Sequence, residues 1–350
     1  MIPEAWMPWV WFGAKVAFVL NFLMTSVPVL VIMERRISAF IQGRLGPNRV
    51  GPEGLLQPVA DIVKFILKEE IIPLRADKWL FRLGPLLVFV PPAVGFAVIP
   101  WGNQIGDEAL QIVNLDIGVL FVMSVLSVGV YGIALGGWAS NNKYSLLGSL
   151  RASAQLISYE LSLGLTLLLA VMMTGSVDPQ SIVAYQIEHG WTVLGNGSLY
   201  RLPLGIIGFI MMFVCALAEN NRLPFDMAEC EAELVGGYHT EYSSMKFAMF
   251  MMGEYVAMVL MCGLMTTLFL GGWHLPFVTD PADHSWLGGA LSVAVFTTKV
   301  YILLFTYIWI RWTLPRFKYN QLMDLGWKAL LPIALVNVAV MALVGVLVEG

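Results

Sequence analysis

Eight apolar runs, between 16 and 27 residues long, constrain this chain more than any other feature. They cover Met7 to Met33, Trp79 to Pro100, Asp116 to Trp138, Ala152 to Thr174, Pro203 to Ala218, Met245 to Leu270, Leu287 to Ile310 and Ala329 to Val348. Hydrocarbon offers the backbone no water, so a run that crosses it must close its own hydrogen bonds as a helix. The expectation is an all-α, polytopic membrane protein with about eight transmembrane helices and one amphipathic surface helix, forming a single integral membrane domain over 1–350. Composition agrees: 58% of residues are hydrophobic and 13% charged, against roughly 45–50% and 25% in soluble domains. The start, MIPEAWMPWVW, lacks the basic segment of a secretory leader, and the run behind it is too long for a leader core. It reads as an uncleaved first span with Trp6, Trp9 and Trp11 at the interface and Lys15 snorkelling out.

Basic residues give the orientation. Of 20 Lys and Arg, 17 fall at 34–82, 139–151, 219–246 and 311–328, in or beside four alternate loops at 34–78, 139–151, 219–244 and 311–328. The positive-inside rule makes those loops cytoplasmic and places both termini on the opposite side.

One of these loops is acidic despite its side. Between Glu219 and Glu241 lie six carboxylates (Glu219, Asp226, Glu229, Glu231, Glu233 and Glu241) and one arginine, Arg222. Pro203 to Ala218 is roughly 24 Å long as a helix, which sets Glu219 at the bilayer edge, and Glu254 is embedded in the next apolar run. Crowded acids near hydrocarbon lose solvation and repel one another, which favours bound protons at neutral pH. Proton handling is one reading; a solvated acidic loop that docks a partner is the other. Glu160, roughly 13 Å into its helix beyond Arg151, has Tyr159 beside it as a potential donor, and Lys299 sits near mid-span. Intramembrane charges of this kind are functional candidates, with a structural ion pair as the alternative.

Redox centres have no visible home. Cys215, Cys230 and Cys262 form no C-x-x-C, the four histidines are scattered, and neither G-x-G-x-x-G nor a P-loop is present. No metal site, haem, iron–sulfur, nucleotide or flavin chemistry is expected on this chain.

The segment from Glu34 to Pro73 has turns at Gly46-Pro47-Asn48 and Gly51-Pro52. Beyond them Leu55, Val59, Ile62, Val63 and Ile66 share one helical face, and Glu53, Gln57, Asp61, Lys64 and Lys68 the other. Such a helix lies along the membrane surface. On the residues alone a surface anchor is the simpler reading; framing an opening for an amphipathic molecule, together with Arg35 and Arg36, is the functional one.

Four segments, ERRISAFIQGRLGPNRVGPEGLLQPVADIVKFILKE, YSLLGSLRASAQLISYE, AENNRLPFDMAECEAELVGGYHTEYSSMKFAMFMMGEY and RWTLPRFKYNQLMDLGWK, closely resemble the H-type membrane subunits of proton-translocating NADH–quinone oxidoreductase (respiratory complex I), the counterparts of mitochondrial NADH dehydrogenase subunit 1. The likeness covers nearly the whole chain. It implies a bacterial inner-membrane subunit at the joint with a hydrophilic arm, where quinone enters as substrate and is reduced by an iron–sulfur cluster on a neighbouring subunit, FMN also lying on partner chains. On that pattern Arg35, Arg36, Ala60, Asp61 and Lys64 border the quinone passage. Glu34, Glu160, Glu219, Asp226, Glu229, Glu231 and Glu233 form the acids that couple it to proton-pumping subunits. The equivalent membrane subunit of a related hydrogenase or other quinone-reducing complex is the alternative, and a self-contained cation transporter a third. The transporter would show discontinuous helices in two matching halves, which this sequence lacks.

Overall fold

The computed structural model describes residues 6–228 and 231–349, with nothing stated of the side chains of residues 231, 232 and 349. In chain order the helices are α1 (Met7–Ile41), α2 (Gln57–Leu67), α3 (Lys78–Gly95), α4 (Gly118–Ala139), α5 (Lys143–Thr174), α6 (Pro179–His189), α7 (Leu202–Glu219), the single turn α8 (Glu231–Leu234), α9 (Ser244–Phe269) and α10 (Trp286–Thr313). The final apolar run is α11 (Tyr319–Asp324), a π-helical turn over Leu325–Leu330, and α12 (Leu331–Val344). Among the described residues eight helices are long and apolar enough to cross a membrane: α1, α3, α4, α5, α7, α9, α10 and the composite Tyr319–Val348. The protein is a multi-pass, all-α membrane protein.

The boundaries differ from the apolar runs in a systematic way. Helix α1 continues from Met33 through Glu34, Arg35 and Arg36 to Ile41, and α5 begins at Lys143 rather than Ala152. Leaving hydrocarbon ends an apolar run but not a helix, which stops only where something breaks it. For α1 that is Gly43, in the left-handed region at φ 65°. For α5 the start is the cap Asn142, whose side chain accepts from the Tyr144 N–H at 2.9 Å. On the opposite face the structure adds α6 and a two-stranded hairpin, Gln104–Ile105 against Glu108–Ala109, neither read from the sequence. Lys15 does not snorkel: its ammonium pairs with Glu108 of that hairpin at 2.6 Å.

Helix α9 is the centre of the bundle. Leu260, Met261, Cys262, Leu264, Met265, Leu268 and Phe269 are fully buried in the main core, among residues of α1, α5, α7 and α10. Helices α3 and α4 approach on glycines, since a Cβ on Gly84 would lie 3.0 Å from Gly136 Cα. Small residues that let backbones meet are the usual means of packing helices without a water-driven force between them. The apolar residues of α2 (Val59, Val63, Ile66 and Leu67) stay exposed, while Asp61 turns inward to Arg35 at 2.7 Å.

Candidate functional site

Between α1, α2, α9 and α10 lies a cavity of about 420 Å³. Met24, Val27, Pro28 and Val31 of α1 and Ala248, Met251 and Met252 of α9 give it apolar walls, with Ile62 and Phe65 of α2 across from them. One end is polar, made by Glu34, Arg35, Asp61, Tyr255 and Arg311. The helical continuation of α1 is what puts Glu34, Arg35 and Ser38 on this face, at i, i+1 and i+4. Of the residues that the resemblance assigns to a passage, Arg35 and Asp61 line the cavity. The others do not line it: Arg36 reaches the Glu53 carbonyl at 2.5 Å, Ala60 is exposed, and Lys64 lies 5.3 Å from the Phe65 ring centroid.

Behind the polar end two acids share an arginine. Arg222 lies 3.6 Å from Glu34 and 3.7 Å from Glu254, and all three side chains are only 10–12% exposed. Arg311 forms a close ion pair with Glu34. The Tyr255 hydroxyl donates to Glu34 Oε2 at 2.5 Å, the Tyr238 hydroxyl donates to Glu254 Oε1 at 2.9 Å, and the Arg222 guanidinium lies 4.6 Å from the Tyr255 ring centroid. Arg222 reaches this place because α7 ends just before it. Asn221 takes a left-handed φ of 47°, and the Arg222 N–H turns back to the Leu217 carbonyl at 3.2 Å.

A smaller void of about 50 Å³ continues the series inward, lined by Glu254, Tyr238, Asn220, Asn221 and Glu219 amid apolar residues of α3, α4 and α9. Glu219 Oε2 is buried there without a hydrogen-bond partner among the described residues. Glu160 on α5 lies within electrostatic reach of Glu219 and accepts a hydrogen bond from Ser127 of α4. Tyr159, the donor expected from its adjacency in sequence, points elsewhere: its hydroxyl donates to the Leu322 carbonyl at 2.8 Å. Neighbours on a helix project about 100° apart, so adjacency in sequence is not contact.

The other loop acids are not gathered into this series. Asp226 pairs with Arg316 at 2.8 Å, Glu233 with Arg151 at 2.5 Å while half exposed, and Glu241 accepts from Asn142 at 2.5 Å. Glu229 and the side chain of Glu231 lie outside the described residues. Conversely, Arg222, Arg311, Tyr255 and Tyr238 belong to the site without having been singled out for it. Only Glu254 carried a signal, as a charge within an apolar run.

A family model described as NADH dehydrogenase matches residues 14–342. The chain belongs to the NADH dehydrogenase family. It is 47% identical to an H-type subunit of the NADH-quinone oxidoreductase of Cytophaga hutchinsonii, over 88% of each chain. It is 47% identical to the NADH-quinone oxidoreductase subunit 8 of Rhodothermus marinus, over 96% of this chain and 98% of that one. With the H-type subunit of the NADH-quinone oxidoreductase of Salinibacter ruber the identity is 45% over 100% of this chain and 99% of the relative.

In this NADH dehydrogenase family member the second mid-span charge, Lys299, is held by the backbone. Its ammonium donates to the carbonyls of Leu270 at 2.6 Å, Gly272 at 2.9 Å and His274 at 2.6 Å, and lies 4.8 Å from the Trp191 ring centroid. Those carbonyls belong to the C-cap residue of α9 and the turn that follows it, so Lys299 ties down the chain as it leaves the central helix. Lys299→Met is expected to lower the stability of the outer loops by about 2–4 kcal/mol, because three carbonyls lose a charged donor at once. Hydrogen exchange at Leu270 to Leu275 measures it, and unchanged protection there would refute the tethering role. His274 nearby has its pKa lowered from the ordinary 6.5, first by burial and then by Lys299. A histidine whose folded pKa is depressed contributes stability that is complete above about pH 6.5 and declines as the pH falls below it, so the protection of these amides, taken relative to the intrinsic exchange rate at each pH, should fall on acidification.

Proposed function

We propose that the chain is the H-type membrane subunit of a bacterial NADH–quinone oxidoreductase, that its 420 Å³ cavity admits quinone, and that the buried acids from Glu34 to Glu160 link quinone reduction to proton movement. The observation that carries this reading is the arginine bridge between the two voids. The first ends at Glu34, the second begins at Glu254, and Arg222 stands between them in contact with both.

An amphipathic quinone suits the cavity because the walls are apolar and the donors and acceptors sit at one end. Reduction to quinol takes up two electrons and two protons. Flavin and iron–sulfur clusters on partner subunits supply the electrons, and no step on this chain requires a redox group. What this chain contributes is placement and charge. Arg35 and Asp61 fix the polar end, and Tyr255 and Arg311 hold the Glu34 carboxyl in place there. Arg222 cannot hold both carboxylates more tightly at once, so a charge change at the cavity that draws it toward Glu34 weakens its hold on Glu254. A carboxylate deprived of its cation in low dielectric takes up a proton. The Glu254, Glu219 and Glu160 series thereby converts an event at the cavity into protonation deeper in the bundle.

The loops at 34–78, 139–151, 219–244 and 311–328 face the cytoplasm in this reading, within a single membrane domain in the inner membrane. Single cysteines at Asn48, Leu74 and Asn320, all exposed, should then react with an impermeant maleimide only in inverted vesicles, and one at Asp280 only in spheroplasts. Labelling of Leu74 and Asp280 from one side would refute the topology.

The passage is tested at Arg35. Arg35→Met leaves Asp61 without its cation at the cavity and should reduce quinone turnover at limiting quinone about tenfold, the equivalent of about 1.4 kcal/mol. NADH oxidation by ferricyanide should persist. Arg36→Met, which alters a residue outside the cavity, should have the smaller effect. Wild-type quinone kinetics in an assembled Arg35→Met complex would reject the cavity as the quinone site.

A further inference from the structure

Apart from the quinone cavity and the buried acids, the basic face carries a shallow cleft of about 590 Å³, lined by Pro73, Leu74, Arg75, Glu241 and the residues 140–143. Three helix ends make it. The Asp77 N–H donates to the Ala139 carbonyl at 3.2 Å, joining the start of α3 to the end of α4. Asp77 caps α3 by accepting from the Trp79 N–H at 3.0 Å and the Leu80 N–H at 3.2 Å, and Asn142 caps α5. The cleft therefore sits at the positive ends of α3 and α5 and the negative end of α4, whose Ala139 carbonyl is taken by the Asp77 N–H.

Its bases form no ion pair among the described residues. Arg75 and Lys143 line the cleft, Lys78 and Arg82 follow on α3 at i, i+4 spacing, and all four are exposed with no ion-pair partner among the described residues. Elsewhere on the same face Arg35, Arg151, Lys246 and Arg316 are each paired with an acid. The single acid of the cleft, Glu241, is engaged by the Asn142 amide at 2.5 Å. Beside the bases stand large apolar side chains in the open: Leu74 is fully exposed, Trp79 is 80% and Trp138 63% exposed. Indoles at helix ends next to unpaired bases mark the headgroup level of a bilayer, and basic recesses between helices there suit anionic headgroups.

We propose that this cleft binds an anionic phospholipid, with its phosphodiester on Arg75 and Lys143 and its upper acyl chains against Leu74, Trp79 and Trp138. The excess of bases over acids selects a net negative headgroup. The flanking apolar side chains give the lipid a contact that free phosphate lacks. This site is independent of the quinone reading and survives its failure.

The test uses the assembled complex in phosphatidylcholine nanodiscs containing a photoactivatable phosphatidylglycerol, with adducts mapped by peptide mass spectrometry and normalised to NADH–ferricyanide activity. Adducts are expected in peptides spanning 73–82 and 138–144. Each basic residue near an anionic surface contributes about fivefold, so Arg75→Gln/Lys143→Gln should lower these adducts about 30-fold, while Arg75→Lys/Lys143→Arg retains most of them. If the double Gln variant fails to assemble, Lys143→Gln alone should read about a fivefold loss. Three results would overturn the proposal: no adducts at these peptides, equal adducts from a photoactivatable phosphatidylcholine, or unchanged adducts in the Gln variants. Displacement of the lipid by inorganic phosphate at matched ionic strength would assign the cleft to a soluble anion instead and likewise overturn it.

Discussion

Glu219→Gln is expected to yield an assembled complex in which quinone-driven proton translocation falls at least about tenfold, the low end of what a positioned proton-transfer group contributes. Glu219 is the terminal residue of α7 and faces the small void it shares with Glu254, and its Oε2 has no hydrogen-bond partner among the described residues. A carboxyl in that position gains nothing architectural from its second oxygen. Gln preserves the size and an acceptor but cannot gain or lose a proton, so only a protonation role should be sensitive to it. Glu219→Asp keeps the exchangeable proton and shortens the reach by one methylene, and should retain a substantial part of the flux. Glu160→Gln should behave like Glu219→Gln, its amide oxygen still accepting from Ser127. The measurement is proton uptake per quinone reduced in vesicles, normalised to assembled complex. A Glu219→Gln enzyme that translocates at the normal ratio would remove this residue from the series.

Arg222→Met should be the most damaging single change for stability. Removing the cation takes the arginine from Glu254, which still accepts from Tyr238, and from Glu34, which keeps Arg311 and Tyr255. Breaking a buried pair on one side costs about 3–5 kcal/mol, because the stranded charge stays desolvated. The assembled complex should accordingly dissociate at a lower temperature on native gels, and quinone reduction should fall with it. Adding Glu254→Gln removes the stranded charge, so the double variant should regain most of the thermal stability without regaining coupled turnover. Recovery of both would make Arg222 purely structural; recovery of neither would mean that its contact with Glu34 matters more than that with Glu254. Arg222→Lys should recover only part of either property, because a point charge cannot face two carboxylates as a planar guanidinium does.

The candidate site was partly legible beforehand, for reasons that differ residue by residue. Glu160, Glu219 and Glu254 announce themselves because a charge inside an apolar run has few structural explanations. Arg35 and Asp61 were legible through the resemblance and are placed on the cavity by the periodicity of α1 and α2. Arg36 and Lys64 share the same motif but project off that face. Arg222, the residue that joins the two voids, looks from the sequence like an ordinary loop arginine. Nothing local marks it, since its significance comes from Glu34, 188 positions earlier, and Glu254, 32 positions later. Tyr255 and Tyr238 are silent in the same way: a tyrosine within an apolar helix or in a loop turn is commonplace until its hydroxyl is seen on a carboxylate. The loop acids illustrate the opposite error. Crowding in sequence suggested one cluster between residues 219 and 241, whereas Asp226, Glu233 and Glu241 each turn to a different partner.

By itself the sequence determined the class, the helix count and the family of this protein, because burial in hydrocarbon imposes a local rule: every crossing segment must be apolar and must satisfy its own backbone. It also determined which charges would be costly. The helix ends beyond those runs are local too, set by Gly43 and Asn142 rather than by polarity, whereas the tertiary structure alone decided which distant charges meet, as Glu34 and Glu254 do at Arg222. It alone separated Lys299, spent on three carbonyls just beyond the central helix, from Glu219, left with an oxygen unpartnered among the described residues. Both are single charges in apolar runs, and what tells them apart is the set of groups brought to each by other helices.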